Sequence, residues 1–122
     1  MKRSLKVKGD ALTRLRGMLG FAARAGRIIF GAEQTAAELR KKAFGVKIVL
    51  VSQDASDGTK KKIRTKCEFY RVPLLEIPLS KDELGSLLGK SYAPSVVAIS
   101  DEGFAREIAA AIPSASENET KE

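Results

Sequence analysis

Two short runs, Val46-Lys47-Ile48-Val49-Leu50-Val51 and Ser95-Val96-Val97-Ala98-Ile99, contain almost no polar residue. A strand with one wet face alternates apolar and polar side chains. A run without that alternation is read as a strand covered on both faces. Cover on both faces means helices above and below a sheet, so these two runs commit the chain to an α/β architecture.

The remaining sequence supplies the cover. From Asp10, a candidate cap, apolar residues recur at Leu12, Leu15, Leu19 and Ala22, a helical stripe that Ala25-Gly26 ends. Ile28-Ile29-Phe30 reads as a short strand. A second helix is expected from Ala32 or Glu33 to Ala43, with Ala36, Leu39 and Ala43 on its stripe and Gly45 as its stop. Residues 52–58 supply turns and caps. A third helix, Gly58 to Tyr70, places Ile63, Cys67 and Tyr70 inward, and its many lysines read as a solvated face. Val72-Pro73 ends it and leads to a strand over Leu74–Ile77. Ser80-Lys81-Asp82-Glu83 is a capping box that opens a short helix with Leu84, Leu87 and Leu88, closed by Gly89. Ser100 or Asp101 caps the last helix, striped by Phe104, Ile108 and Ile112. The sum is a single-domain three-layer α/β/α sandwich, with a four-stranded mixed sheet and five helices. Residues 1–9 are expected to form a basic flexible arm, 10–112 the folded domain and 113–122 an acidic disordered tail.

Charge and composition restrict the function. Lys and Arg number 22 against 15 Asp and Glu, giving a net charge of +7 and a pI near 9.7. The bias is uneven: residues 1–27 hold eight basic side chains against Asp10 alone. Such a balance suits a polyanionic partner, although it speaks to association and not to fold. No histidine exists, which removes Ser-His-Asp and Cys-His catalysis and every His-ligated metal. Cys67 is a lone cysteine on an apolar stripe, so it reads as core. No apolar run reaches the roughly 18 residues of a membrane span, no membrane contact is expected, and a cytoplasmic location is.

Other chemistries fail on their own requirements. No G-x-G-x-x-G follows a strand. Gly58-Thr59-Lys60 lacks the upstream glycine and residue order of a phosphate loop. Asp54 follows a buried strand, as a phosphoacceptor would, but Gly31-Ala32 stands where such a domain keeps its acidic metal pair. A capping role for Asp54 is the expectation. No catalytic set assembles, and neither a cofactor nor a metal is implied.

The stretch that remains is Gly31-Ala32-Glu33-Gln34-Thr35, between the first strand and the second helix. Glycine there permits close approach and leaves the first helical amides unpaired, a seat for phosphate or polar base edges. Arg40 and Lys41 crowd the far turn of that helix, where the dipole already favours cations.

Read in order, the residues resemble the kink-turn-binding ribosomal protein superfamily (L-seven-Ae and L-thirty-e type), most of all its small bacterial members. The resemblance rests on Gly20-Phe21-Ala22-Ala23-Arg24-Ala25-Gly26-Arg27, Gly31 to Thr35, Asp54-Ala55-Ser56 with Thr59 to Ile63, and Lys66 to Pro73. It continues through Leu84 to Lys90 and Val96 to Ala105, covering residues 10–112. It implies an α/β/α domain that binds kink-turns, sharply bent internal loops built on tandem sheared G·A pairs. In the family the start of the second helix reads those pairs, and Gly31, Ala32, Glu33, Gln34 and Thr35 occupy that place. The loop before the last strand packs on flipped-out nucleotides in the family. Here it holds Tyr92, Ala93, Pro94 and Ser95, with Tyr92 and Pro94 as candidate flat surfaces. Two positions depart from the pattern: Glu33 stands where the family has Asn or Lys, and Ala37 where it has Lys a turn later. Arg27, Arg40 and Lys41 are the cations expected to compensate.

The resemblance thus implies a monomeric, non-catalytic RNA-binding protein whose partners are structured RNA and the ribosome. Two alternatives stay open: a substrate-binding module of the RNA-methyltransferase type, and a protein-interaction module.

Overall fold

In the computed structural model, which describes residues 9–41 and 45–112 with side chains from Ala11 onward, the two apolar runs are the central strands of a four-stranded sheet. They are β2 (Ile48–Ser52) and β4 (Val96–Ile99), buried at every residue. The edge strands, β1 (Ile28–Phe30) beside β4 and β3 (Leu74–Ile77) beside β2, are only partly covered. β1 and β2 each run antiparallel to β4, and β3 runs parallel to β2. The sheet is therefore mixed, as expected.

Successive side chains of a strand point to opposite faces, so each central strand feeds two cores. Ile48, Leu50, Val97 and Ile99 enter one, covered by α1 (Gly9–Arg24), α4 (Lys81–Leu87) and α5 (Glu102–Ala111). Val49, Val51, Val96 and Ala98 enter the other, covered by α2 (Ala32–Arg40) and α3 (Asp57–Tyr70). The expected stripes hold: Leu15, Leu19 and Ala22 of α1, Ile63 and Cys67 of α3, and Ile108 and Ile112 of the last helix are buried. Burial pushes the Cys67 thiol up to about 11, with the neighbouring Glu68 adding to the shift. At neutral pH it is a small core hydrophobe and not a nucleophile.

Several boundaries are set by hydrogen bonds that a residue pattern does not display. The second helix stops at Arg40, short of the expected Ala43, because the Lys41 amide also bonds the Glu38 carbonyl three residues back and tightens the last turn. α3 ends at Tyr70 with Arg71 in the left-handed conformation (φ 61°), a stop usually made by glycine. The capping box is present in full: Ser80 Oγ accepts from the Glu83 amide at 3.0 Å, and Glu83 Oε1 accepts from the Ser80 amide at 2.8 Å. Of the two candidate caps for α5, Asp101 accepts from the Phe104 amide at 2.9 Å, while Ser100 donates to the Arg27 carbonyl and ties β4 to β1. α1 already includes the expected cap Asp10, since it begins at Gly9, while the basic arm up to Lys8, the acidic tail and Lys42 to Phe44 lie outside the described residues.

Asp54 caps, but not its own helix. Its Oδ1 accepts from the Lys81 amide at the start of α4 and from Ser52 Oγ, both at 2.9 Å, while Ser56 caps α3. Lost solvation raises the carboxyl pKa, but the bonds from Ser52 and Lys81 outweigh it and hold the group below its ordinary 3.8. A carboxylate depressed in the folded state adds stability above the unfolded value, lost as pH falls through the folded one. Asp54→Asn is therefore expected to lower the urea midpoint at neutral pH. The gap between variant and parent should close as acid protonates Asp54; a gap constant with pH would reject the charge contribution.

Candidate nucleic-acid interface

β1, β2 and β3 run one way and β4 the other, so one edge of the sheet collects the exits of three strands and the entrance of the fourth. The segments gathered there are Gly31–Gln34, the turn after Ser52, Pro78–Ser80, and the loop from Tyr92 to Ser95. Ligands of open α/β sheets are bound beyond the carboxyl ends of strands. The two stretches singled out in the sequence, 61 residues apart at Gly31 and Tyr92, thus meet at one edge.

They meet by hydrogen bonds. The Gly31 amide donates to the Val96 carbonyl at 2.8 Å, and the Ser52 amide donates to the Ser95 carbonyl at 2.8 Å. The first residues of β4 are clamped between the ends of β1 and β2. Gly31 itself adopts φ 94° and ψ 152°, a region open in practice only to glycine. A Cβ there would touch nothing within 4 Å, so the requirement is one of backbone conformation and not of space.

The start of α2 is unlike the starts of its neighbours. α3, α4 and α5 satisfy a first-turn amide with the side chains of Ser56, Ser80 and Asp101. α2 has no side-chain cap, and the amides of Ala32, Glu33 and Gln34 meet no acceptor among the described residues. Ala32, Glu33 and Gln34 are exposed. Free donors, the positive end of the helix dipole, and acceptor oxygens on Glu33 and Gln34 lie together, a set that matches the mixed donors and acceptors of a base edge. Glu33 is also placed where the dipole favours an acid.

Not every expected site residue falls there. The Thr35 side chain is wholly buried, because the helical turn carries it inward from Gln34, and its Oγ1 makes no hydrogen bond among the described residues. Pro94 is buried too, so its ring offers no stacking face. Its neighbour Gly85 in α4 explains why: a Cβ on Gly85 would stand 2.5 Å from the Tyr92 carbonyl and 3.5 Å from Pro94 Cδ. The loop lies down on α4 where that glycine leaves room. Tyr92 keeps 52% of its surface exposed, and Ala93 is exposed beside it.

The three compensating cations are also elsewhere. Arg27 precedes β1 and lies at the opposite edge, about 13 Å away along the strand. Arg40 and Lys41 lie at the far end of α2, about 14 Å from its start, and Lys41 is paired with Glu38 at 3.2 Å.

Other cations take their place. Lys90 follows α4 and sits over the Phe30 ring, with Nζ 4.2 Å from the centroid, one residue before Gly31. A cleft of about 440 Å³ opens between the start of α2 and the side of α3, lined by Ala32, Glu33, Ala36, Thr59, Lys62, Ile63 and Lys66. The signal for these residues was the spacing Thr59, Lys62, Lys66, one helical face, but nothing in the sequence says that this face adjoins α2. Among the described residues no cluster of acids or cysteines is suited to a metal, and no helix is long and apolar enough to cross a membrane.

Known proteins share this fold. Residues 13–109 match the model of the ribosomal protein L7Ae/L30e/S12e/Gadd45 family. The chain is 41% identical over 90 residues to the RNA-binding protein YlxQ of Enterococcus faecium, covering 74% of this chain and 82% of that one. It is 37% identical over 87 residues to the large ribosomal subunit protein eL30 of Sulfolobus acidocaldarius, covering 71% and 82%. Among solved structures, a protein of unknown function from Bacillus halodurans superposes with a TM-score of 0.73 at 34% identity, over 80% of this chain and 95% of that one. The Giardia lamblia 15.5kD RNA binding protein shares the fold, with a TM-score of 0.66 at 20% identity over 86% and 87%.

Two substitutions test the placement. Gly85→Ala should force the Tyr92 loop off α4 and cost about 1–3 kcal/mol, read as a lowered thermal midpoint. Thr35→Val removes an unpaired buried hydroxyl at constant shape and should leave stability equal or higher. A clear loss of stability in Thr35→Val would show that the hydroxyl has a partner.

Proposed function

The chain belongs to the ribosomal protein L7Ae/L30e/S12e/Gadd45 family, and we propose that it is an RNA-binding protein that recognises a kink-turn or similarly bent RNA by binding alone. One observation carries the reading. The uncapped, glycine-led start of α2 and the exposed Tyr92 loop lie side by side at one sheet edge, joined through the Gly31–Val96 bond. An RNA bent at an internal loop exposes base edges and splays nucleotides beside them. The amides of Ala32 to Gln34 donate to base acceptors, and Glu33 and Gln34 accept from base amino groups. Tyr92 provides a ring on which a displaced base stacks, a contact worth about 1–3 kcal/mol. Lys90 supplies a nearby positive charge for phosphates crowded at the bend. The YlxQ and eL30 relatives support structured RNA, ribosomal or regulatory, as the partner class. The protein acts as a monomer in the cytoplasm in this reading, with the ribosome as its place of work.

The test compares a kink-turn RNA with the same RNA whose G·A pairs are changed to Watson–Crick pairs, by calorimetry at moderate salt. The parent protein is expected to prefer the first. Gln34→Ala should lose about tenfold to a hundredfold of that preference, the size of one good base-edge contact. Equal, salt-sensitive binding of the parent to both RNAs would reject the base-reading role of α2.

A further inference from the structure

The cleft that begins at Glu33 does not end at α2. Its far wall carries Lys62 and Lys66, and the same two lysines line a second, shallower depression of about 290 Å³ with Gly58, Lys61 and Thr65. Residues 58, 61, 62, 65 and 66 recur at helical spacing and form one stripe along α3. The stripe holds three lysines and no acid. Several cations elsewhere are matched by acids: Arg14 with Glu107, Arg16 with Glu83, Lys41 with Glu38, Lys60 with Glu76 and Arg106 with Glu102. Lys61, Lys62 and Lys66 make no ion pair among the described residues.

We propose that the α3 stripe of Lys61, Lys62 and Lys66 is a second contact for the same RNA, holding phosphates of a helix that flanks the bend. The inference rests on the reading of α2 given above for the identity of its partner. The cleft has walls of opposite sign. Glu33 on the α2 side repels phosphates and accepts from base amino groups, while Lys62 and Lys66 on the α3 side draw the backbone. One strand entering the cleft is thereby oriented, bases toward α2 and phosphates toward α3. Beyond the cleft, Lys61 continues the positive surface along the helix, beside Thr65, whose hydroxyl donates back to the Lys61 carbonyl at 3.0 Å. Contacts of this kind position RNA without reading its sequence.

The decisive variant is Lys61→Gln with Lys62→Gln and Lys66→Gln, on an exposed helical face where these residues have similar helix propensity. Binding to the kink-turn RNA is measured across salt concentrations. The slope of log K against log salt is expected to flatten by about 2 to 3, since each lost phosphate contact removes about 0.7–0.9. The preference over the Watson–Crick control should stay unchanged. Arginine at all three positions should restore the slope. A control that removes three charges from the opposite layer (Arg14→Gln, Arg16→Gln, Arg106→Gln) should leave the slope unchanged. Shortening the contacted flanking helix of the RNA should erase the difference between parent and α3 variant. An unchanged slope in the α3 variant, or an equal change in the control, overturns the proposal. A parent that shows no preference for the kink, with a slope that still falls only in the α3 variant, rejects the base reading and leaves the α3 contact standing.

Discussion

A strand such as β4, with Val96 to Ile99 all buried, must find backbone partners along both edges and apolar cover on both faces. β1 and β2 provide the first, and two helical layers the second. This demand for double cover places every other element. It also fixes direction. Because both neighbours run antiparallel to β4, their carboxyl ends lie where β4 begins, and three helices start at that edge. Each fully buried Val or Ile side chain contributes about 1.5–3 kcal/mol, so the central strands hold the edge in place independently of anything bound there. The site is made of backbone and loops set on a rigid floor.

That floor explains why a glycine without a cap is stable at the start of α2. Uncapped first-turn amides are a cost when buried, but here they face open space with Glu33 beside them. The Gly31 conformation is held by the Gly31–Val96 bond, which continues the β1–β4 ladder for one residue before the chain turns away. The neighbouring turn is held equally firmly. Asp54 bonds across to α4, and Lys60 reaches both the Gln53 carbonyl at 3.0 Å and Glu76 at 3.1 Å. An edge tied down in this way loses little conformational freedom on binding, so more of the contact energy is expressed as affinity.

Much of this was legible in the residues, and the illegible part has a physical pattern. The unalternating runs, the Ser80–Glu83 box and the burial of Cys67 depend on neighbours within a turn or two, and the sequence displays them. The stretch Gly31 to Gln34 was legible as a strand-to-helix junction, because glycine is the residue that takes the positive φ found there. What failed was inference by proximity along the chain. Arg27 and Arg40 stand near Gly31 in sequence, yet strand and helix each carry them about 13 Å away from it. Thr35 and Pro94 are one residue from exposed neighbours and are themselves inside, because a single step along the chain turns a side chain far enough to leave the surface. The α3 lysines failed the other way. Their face was correctly read as exposed, but a helix face acquires meaning only from the element beside it, and the packing of α3 beside α2 is a tertiary fact.

The same point governs the charge. A net charge of +7 suggests an anionic partner without saying where it binds. The fold pairs some of the basic residues and leaves others open. On the layer of α1, α4 and α5, Arg14, Arg16 and Arg106 face acids, and Arg24 lies over the Phe21 ring at 4.9 Å. Exposed pairs of this kind add little stability, about 0–1 kcal/mol each, but they cancel the field of that layer. On the α3 stripe no ion pair does so among the described residues. A polyanion approaching at physiological salt feels charges within a Debye length of about 8 Å, so the paired layer is nearly neutral to it while the α3 stripe is not. Ion pairing on one side of the sheet therefore does as much to direct an approaching polyanion as the unpaired lysines do on the other.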